Sequence, residues 1–323
     1  MTKHRTLLLT AIVVTVLGLA VLSLFVGGYD ITLRTLLDDP EARNMFLISR
    51  VPRTLALIFA AMAMSISGVI MQMITQNKFV EPTTAGTAQW AGLGVLFTFI
   101  VLPGATPMVK MIVATGFAFV GTMIFVGVLR QVSVRSSLVV PLVGIMLGAV
   151  VGAVTTFLAG TFDLLQSMSA WRSGGFSSVV RGFYEPLWAV LVIAVLAYVL
   201  ANRFTVAGLG KDLATSVGLR YEQIVFVGVT MVAVATGVTS VVVGFIPFLG
   251  LIVPNLVSMI LGDDVHKNLP WVAFIGAGLL LACDIVGRIV VAPMEIPASV
   301  ILGVVGAVVF VLLIVRQRRY VSA

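Results

Sequence analysis

Asp284 and Arg288 stand four residues apart inside an apolar run, a spacing that puts both on one face of a helix. A carboxylate and a guanidinium placed so can neutralise each other, and near a helix end the arginine can also reach an interface. An ionisable group within hydrocarbon is otherwise expensive and marks a functional position. The other polar residues inside apolar blocks are few, namely Gln72, Gln89 and Asn255, and they form no string of acids able to relay protons or sodium ions. Elsewhere Arg34, Arg43, Arg50 and Arg53 crowd into one early segment. The planar fork of arginine binds both oxygens of a carboxylate at once, so such a cluster suits acidic partners. Asp38, Asp39 and Glu41 in the same segment could equally neutralise it from within.

Catalytic motifs are missing. Gly210-Lys211 is followed by Asp212 where a phosphate-binding loop needs serine or threonine, and Thr205 occupies the place of its leading glycine. There is no H-E-x-x-H, no G-x-S-x-G and no dinucleotide fingerprint. Two isolated histidines, His4 and His266, and a single cysteine, Cys283, supply neither zinc-ligand spacing nor a disulfide. The expectation is a chain with no catalytic residue, no metal site and no cofactor of its own.

The elements that must position these residues are set by composition. Of 323 residues 60% are hydrophobic and 10% charged, and the mean hydropathy is +1.16. That balance belongs to an integral membrane protein. Apolar blocks of about 20 residues match a hydrocarbon layer of ~30 Å, and no alternation of apolar and polar residues suggests a barrel. The predicted fold class is all-α: a polytopic membrane protein, one transmembrane domain over 1–323, with ten helices at about 7–27, 53–75, 87–102, 110–129, 138–159, 185–202, 223–243, 247–261, 270–290 and 298–315. The first block is longer than a signal-peptide core and lacks a small-x-small cleavage site, so it is read as a retained helix. The eighth helix is short and broken, with Gly244, Pro247 and Gly250 at its start and Pro254 inside it. Such a break needs protein or water to satisfy the freed backbone groups.

Ten helices put both termini on one side. That side holds Lys3, Arg5, Lys78, Arg130, Arg135, Arg203, Lys211, Arg220, Lys267, Arg316, Arg318 and Arg319 against Glu81, Asp212, Glu222, Asp263 and Asp264, which accounts for the whole net charge of +7. The excess of lysine and arginine makes it cytoplasmic, so the charge is a topology signal and not a nucleic-acid footprint. Helix five carries Gly144, Gly148, Gly152, Thr156 and Gly160, a small residue at every fourth position that lets another backbone come close, in this chain or in a second copy. The stretch 163–181 is too polar to span and is placed outside as a re-entrant or surface helix.

The most substantial soluble-looking connection runs from Arg203 to Glu222. Gly210 precedes and Gly218 follows a predicted short helix over 211–217, the latter suited to a left-handed helix end. Leu209, Leu213 and Val217 recur every four residues as an apolar stripe, with Asp212, Thr215 and Ser216 around it. The stripe is suited to docking a soluble partner, and equally to resting on lipid headgroups.

Together, Arg50-Val-Pro-Arg-Thr-Leu-Ala56, Gln76-Asn-Lys-Phe-Val-Glu-Pro82, Trp171-Arg-Ser-Gly-Gly-Phe176, Leu209-Gly210 with Gly218-Leu219, Phe248-Leu-Gly-Leu-Ile-Val-Pro-Asn255, Ala282-Cys-Asp-Ile-Val-Gly-Arg288 and Glu295-Ile-Pro297 resemble, in order and over essentially the whole chain, the FecCD-type permeases of ABC importers for iron-siderophores, haem and cobalamin. The resemblance implies a type II ABC importer permease in the bacterial cytoplasmic (inner) membrane. Its implied partners are a second permease subunit, identical or not, two cytoplasmic ATPases that bind ATP and magnesium, and an extracytoplasmic substrate-binding protein. It also implies that Leu209, Gly210, Asp212, Leu213, Ala214, Val217, Gly218 and Leu219 couple to the ATPase. Arg50 and Arg288, with Arg43 as an approximate match and Arg53 beside them, would dock the binding protein. Asn77 and Phe79 fall where related permeases narrow the cytoplasmic end of the pathway. The chain departs at Asn255, where many members have histidine, and the run from Asn77 to Gly86 looks most like the catecholate-siderophore branch. Haem or cobalamin is the alternative cargo, and an ion-coupled secondary transporter the alternative class.

Overall fold

The computed structural model describes residues 3–27, 32–131 and 138–321, and every regular element among them is helical. In chain order these are α1 (Lys3–Phe25), α2 (Leu33–Asp38), α3 (Pro40–Met45), α4 (Val51–Thr75), α5 (Thr87–Val101), α6 (Pro107–Gln131), α7 (Val139–Thr161), α8 (Leu165–Arg172), α9 (Ala189–Ala207), α10 (Lys211–Ser216), α11 (Tyr221–Val243), α12 (Leu249–Leu261), α13 (Val265–Ile289) and α14 (Ala298–Val321). A π-helical turn at Phe46–Arg50 joins α3 to α4, and a 3-10 turn at Glu185–Trp188 leads into α9. Arg135, counted above with the positive side, lies outside the described residues.

The apolar stretches predicted from the sequence each contain a helix. Valine-rich runs such as 225–243 favour strands in water, but in hydrocarbon a helix closes every backbone hydrogen bond within its own segment. Among the described residues seven helical stretches are long and apolar enough to cross a membrane, whereas α5, α12 and the 298–312 part of α14 are shorter. The stretch 163–181 is helical only over α8.

α4 is the hub, packing against α13, α11, α12 and α9, and its Leu57, Ala60 and Ile66 are buried with Val229 and Val232 of α11. α5 and α11 both pack on α6. By contrast α1 and α7 leave Leu17, Val21, Met146 and Phe157 exposed, the apolar surface a lipid-facing helix presents. Two of the five positions of the small-residue stripe on α7 are used closely within the chain: a Cβ on Gly144 would lie 2.2 Å from the Thr84 carbonyl oxygen, and one on Gly148 3.3 Å from Gly86 Cα. The helical stretch through α4 begins at Pro40, earlier than the hydropathy indicates, because Asp39 caps it by accepting the Glu41 N–H at 2.9 Å.

The break before α12 is handled as hydrocarbon demands. Pro254 has no N–H for the Gly250 carbonyl, and the Gln72 amide of α4 donates to that oxygen at 3.4 Å instead. Asn255 donates to Leu251 O and to Lys78 O, each at 2.7 Å. Two of the intramembrane polar residues singled out by sequence therefore satisfy backbone.

Candidate functional site

Arg53 enters near the start of α4 and the Lys211–Ser216 helix packs beyond its end, where Gly210 approaches the side chain of Gln76. At 1.5 Å per residue these two regions stand about 35 Å apart along α4.

At the first end the chain builds an ionic cluster. Asp284 of α13 takes Arg288, four residues on, at 2.7 Å, and Arg53 of α4 at 2.8 Å. Arg53 also holds Glu295 at 2.9 Å, and the Ser177 hydroxyl donates to the same carboxylate at 2.7 Å. Arg288 donates to the Ser23 carbonyl at 2.9 Å and to the Ser23 hydroxyl at 2.7 Å, where α1 ends. Arg50, set by the π-helical turn, donates to Val26 O at 2.8 Å. Burial pushes the Glu295 carboxyl upward, but Ser177 and the nearby guanidiniums outweigh it and hold the group below the usual glutamate value.

The arginines expected to dock the binding protein differ in exposure. Arg50, Arg53 and Arg288 are only 9%, 8% and 4% exposed, because Asp284, Glu295 and the carbonyls ending α1 draw them inward. Arg43 stays at the surface, donating to Leu36 O and Leu37 O. Neutralisation by the loop's own acids is confined, among the described residues, to the exposed Arg34–Asp38 pair. Glu295 and Ser177 are the residues that sequence reasoning misses; no local spacing joins them to Arg53.

At the other end α10 forms a small knob. Gly218 takes φ +84°, and the bonds Leu219 N–H to Ala214 O and Gly218 N–H to Thr215 O, both 2.9 Å, close its last turn. Leu209, Leu213 and Val217 are 61%, 60% and 72% exposed, with Asp212 also outward, whereas Ala214 is buried and anchors the knob. Glu222 at the start of α11 braces it, pairing with Lys211 at 3.0 Å and with Arg130 of α6.

Between these ends lies the connection from α4 to α5. Asn77 and Phe79 are both buried; the Asn77 side-chain oxygen accepts the Phe79 N–H at 2.9 Å, and the Phe79 ring meets Phe310 of α14 edge-on at 5.8 Å. Glu81, counted by sequence with the charged cytoplasmic loops, is wholly buried. A cavity of about 150 Å³ bordered by Gln89, Thr155, Thr156, Trp171 and Arg172 opens between α5, α7 and α8.

The model of the FecCD transport family matches residues 11–316. The chain is 48% identical over 312 residues to the petrobactin import system permease protein FatD of Bacillus anthracis, covering 97% of this chain and 91% of that one. It is 38% identical over 298 residues to the ferric-anguibactin transport system permease protein FatD of Vibrio anguillarum, covering 92% and 95%. A solved metal-chelate type ABC transporter in an inward-facing conformation shares the fold, with a TM-score of 0.80 at 24% identity over 96% of this chain and 99% of the other.

Proposed function

Because the chain belongs to the FecCD transport family, we propose that it is the multi-pass permease of an ABC importer that takes up an iron-siderophore, of the catecholate type, across the bacterial cytoplasmic membrane. The observation that carries the mechanism is the α10 knob: three exposed apolar side chains on and flanking a short braced helix, in a chain whose sequence holds no phosphate-binding loop.

In this reading ten helices span the membrane with both termini in the cytoplasm. Leu209, Leu213 and Val217 seat in a separate ATPase, which binds the ATP and magnesium, while Gly210, Asp212, Ala214, Gly218 and Leu219 shape and hold the knob. The ATPase drives transport by binding two permease states unequally through this contact. A second permease completes the pathway, with Asn77 and Phe79 narrowing its inner end. At the outer end Arg43 meets acidic groups of the binding protein, and Arg50, Arg53 and Arg288 set the shape of the surface it lands on.

The test is uptake into proteoliposomes. The chain reconstituted with its ATPase, second permease and binding protein should accumulate a ferric catecholate only when ATP is supplied. Accumulation by this chain alone under an ion gradient would overturn the reading.

A further inference from the structure

The segment between α4 and α5 is fastened along α12 at three points. At the start of α12 the Glu81 carboxylate accepts the Phe248 N–H at 2.9 Å; two turns on, Asn255 donates to the Lys78 carbonyl at 2.7 Å; past the far end, the Lys78 ammonium meets Asp263 at 3.1 Å. Phenylalanine cannot cap its own helix, so the cap of α12 comes from 167 residues away. Thr83 donates to the same Glu81 oxygen, while the other carboxylate oxygen lies beside Gly250. Among the described residues Glu81 has no ion pair.

Phe248 itself is strained: its φ of +62° lies in the left-handed region that bulky residues avoid. Such a conformation persists only where its surroundings hold it. Here Glu81 holds the N–H, and the ring stacks on Phe310 at 6.4 Å. Phe310 also receives the edge of Phe79 at 5.8 Å, so one side chain of α14 touches both the narrowing segment and the start of α12.

We propose that Glu81 is a positioning residue of the transport cycle: it makes α12 and the 77–84 segment move as one body, and Phe310 is the surface against which that body closes. The proposal rests on the permease reading above. Its mechanical content is that Phe79 cannot shift while α12 stays still, so displacement of the helix reaches the pathway instead of being absorbed in a loop.

The experiment uses the complete reconstituted complex, in a Cys283→Ser background, with ferric petrobactin carrying radiolabelled iron as the probe. Lys78→Cys with Ser258→Cys of α12, whose side chains meet at 3.1 Å, places two thiols within the proposed body, and Phe79→Cys with Phe310→Cys places them across its boundary; each pair is bridged by a short, reducible bifunctional reagent. Compared with the same variant before bridging, the 79–310 bridge should lower uptake at least about tenfold and its reduction should reverse that loss, whereas the 78–258 bridge should leave the variant's own uptake within about twofold. Uptake that survives the 79–310 bridge, or stops with the 78–258 bridge, overturns the proposal. Should the unbridged cysteine variants lack uptake, Glu81 decides: Glu81→Gln keeps an acceptor for Phe248 and should keep the ATP-to-iron ratio, whereas Glu81→Ala should raise it. Equal ratios in the two variants count against the proposal. No uptake by the unsubstituted complex removes the permease reading and this proposal together, while uptake with the wrong bridging pattern removes this proposal alone.

Discussion

Arg53 and Asp284, 231 residues apart in the chain, meet at 2.8 Å with both side chains withdrawn from solvent, and this contact ties the start of α4 to α13. Asp284 simultaneously holds Arg288, so a single carboxylate answers two guanidiniums.

Replacing Asp284 with asparagine should therefore be severe. Breaking a buried pair leaves uncompensated charge, and the expected loss of stability is about 3–5 kcal/mol. Thermal unfolding of the purified complex would register it as a markedly lower midpoint. A midpoint unchanged from wild type would show that the two arginines find other partners.

The knob separates two substitutions that sequence treats alike. Leu213→Asp changes an exposed side chain and should abolish transport-linked ATP hydrolysis with membrane insertion intact. Ala214→Asp puts a carboxylate into a fully buried site and should reduce the folded protein itself, by a few kcal/mol at least. Hydrolysis stimulated by the loaded binding protein, measured beside abundance in the membrane, distinguishes them. Normal coupled hydrolysis in Leu213→Asp would remove the coupling role.

For docking, Arg43→Glu should weaken binding-protein affinity more at low salt than at high, since exposed charges are screened within about 10 Å at 0.1 M. Arg288→Glu should instead disturb the subunit, because its guanidinium fills a buried site against Asp284 and Ser23. Titration of the binding protein across a salt series checks the first, unfolding the second. Identical affinity for Arg43→Glu at every salt concentration would exclude that contact.

Glu295 carries a pH dependence of known sign. Its folded-state pKa lies below the ordinary 4.5, so the stability it contributes is fully present above that value and is lost as pH falls through the depressed one. The gap in unfolding midpoint between wild type and Glu295→Gln should be constant near neutrality and narrow in acid. A gap that widens toward low pH would show the sign to be wrong.

The helices are legible because hydrocarbon leaves apolar blocks of this length few alternatives, and the Asp284–Arg288 pair because its spacing fixes its geometry. The left-handed end at Gly218 is readable for the same reason: the constraint is local. What escapes the sequence is long-range. Arg53 and Glu295 are separated by 242 residues, and Glu81 and Phe248 by 167, so no window along the chain contains either pair. Direction is hidden too: the charge of Arg50 is visible, but not that a π-helical turn aims it at the end of α1. The apolar stripe of the knob is visible, whereas the burial of Ala214 behind it depends on neighbours outside that short helix.

Pro254 and the Gln72 amide together make α12 a helix that borrows part of its stiffness. A rod with all its own rungs keeps its shape wherever it is pushed; this one has its rung at Gly250 filled only while α4 lies alongside to supply it. Sliding the two past each other by a single residue would unhook that support and let α12 yield at the proline, so the joint is set by a neighbour's register and not by the helix's own sequence.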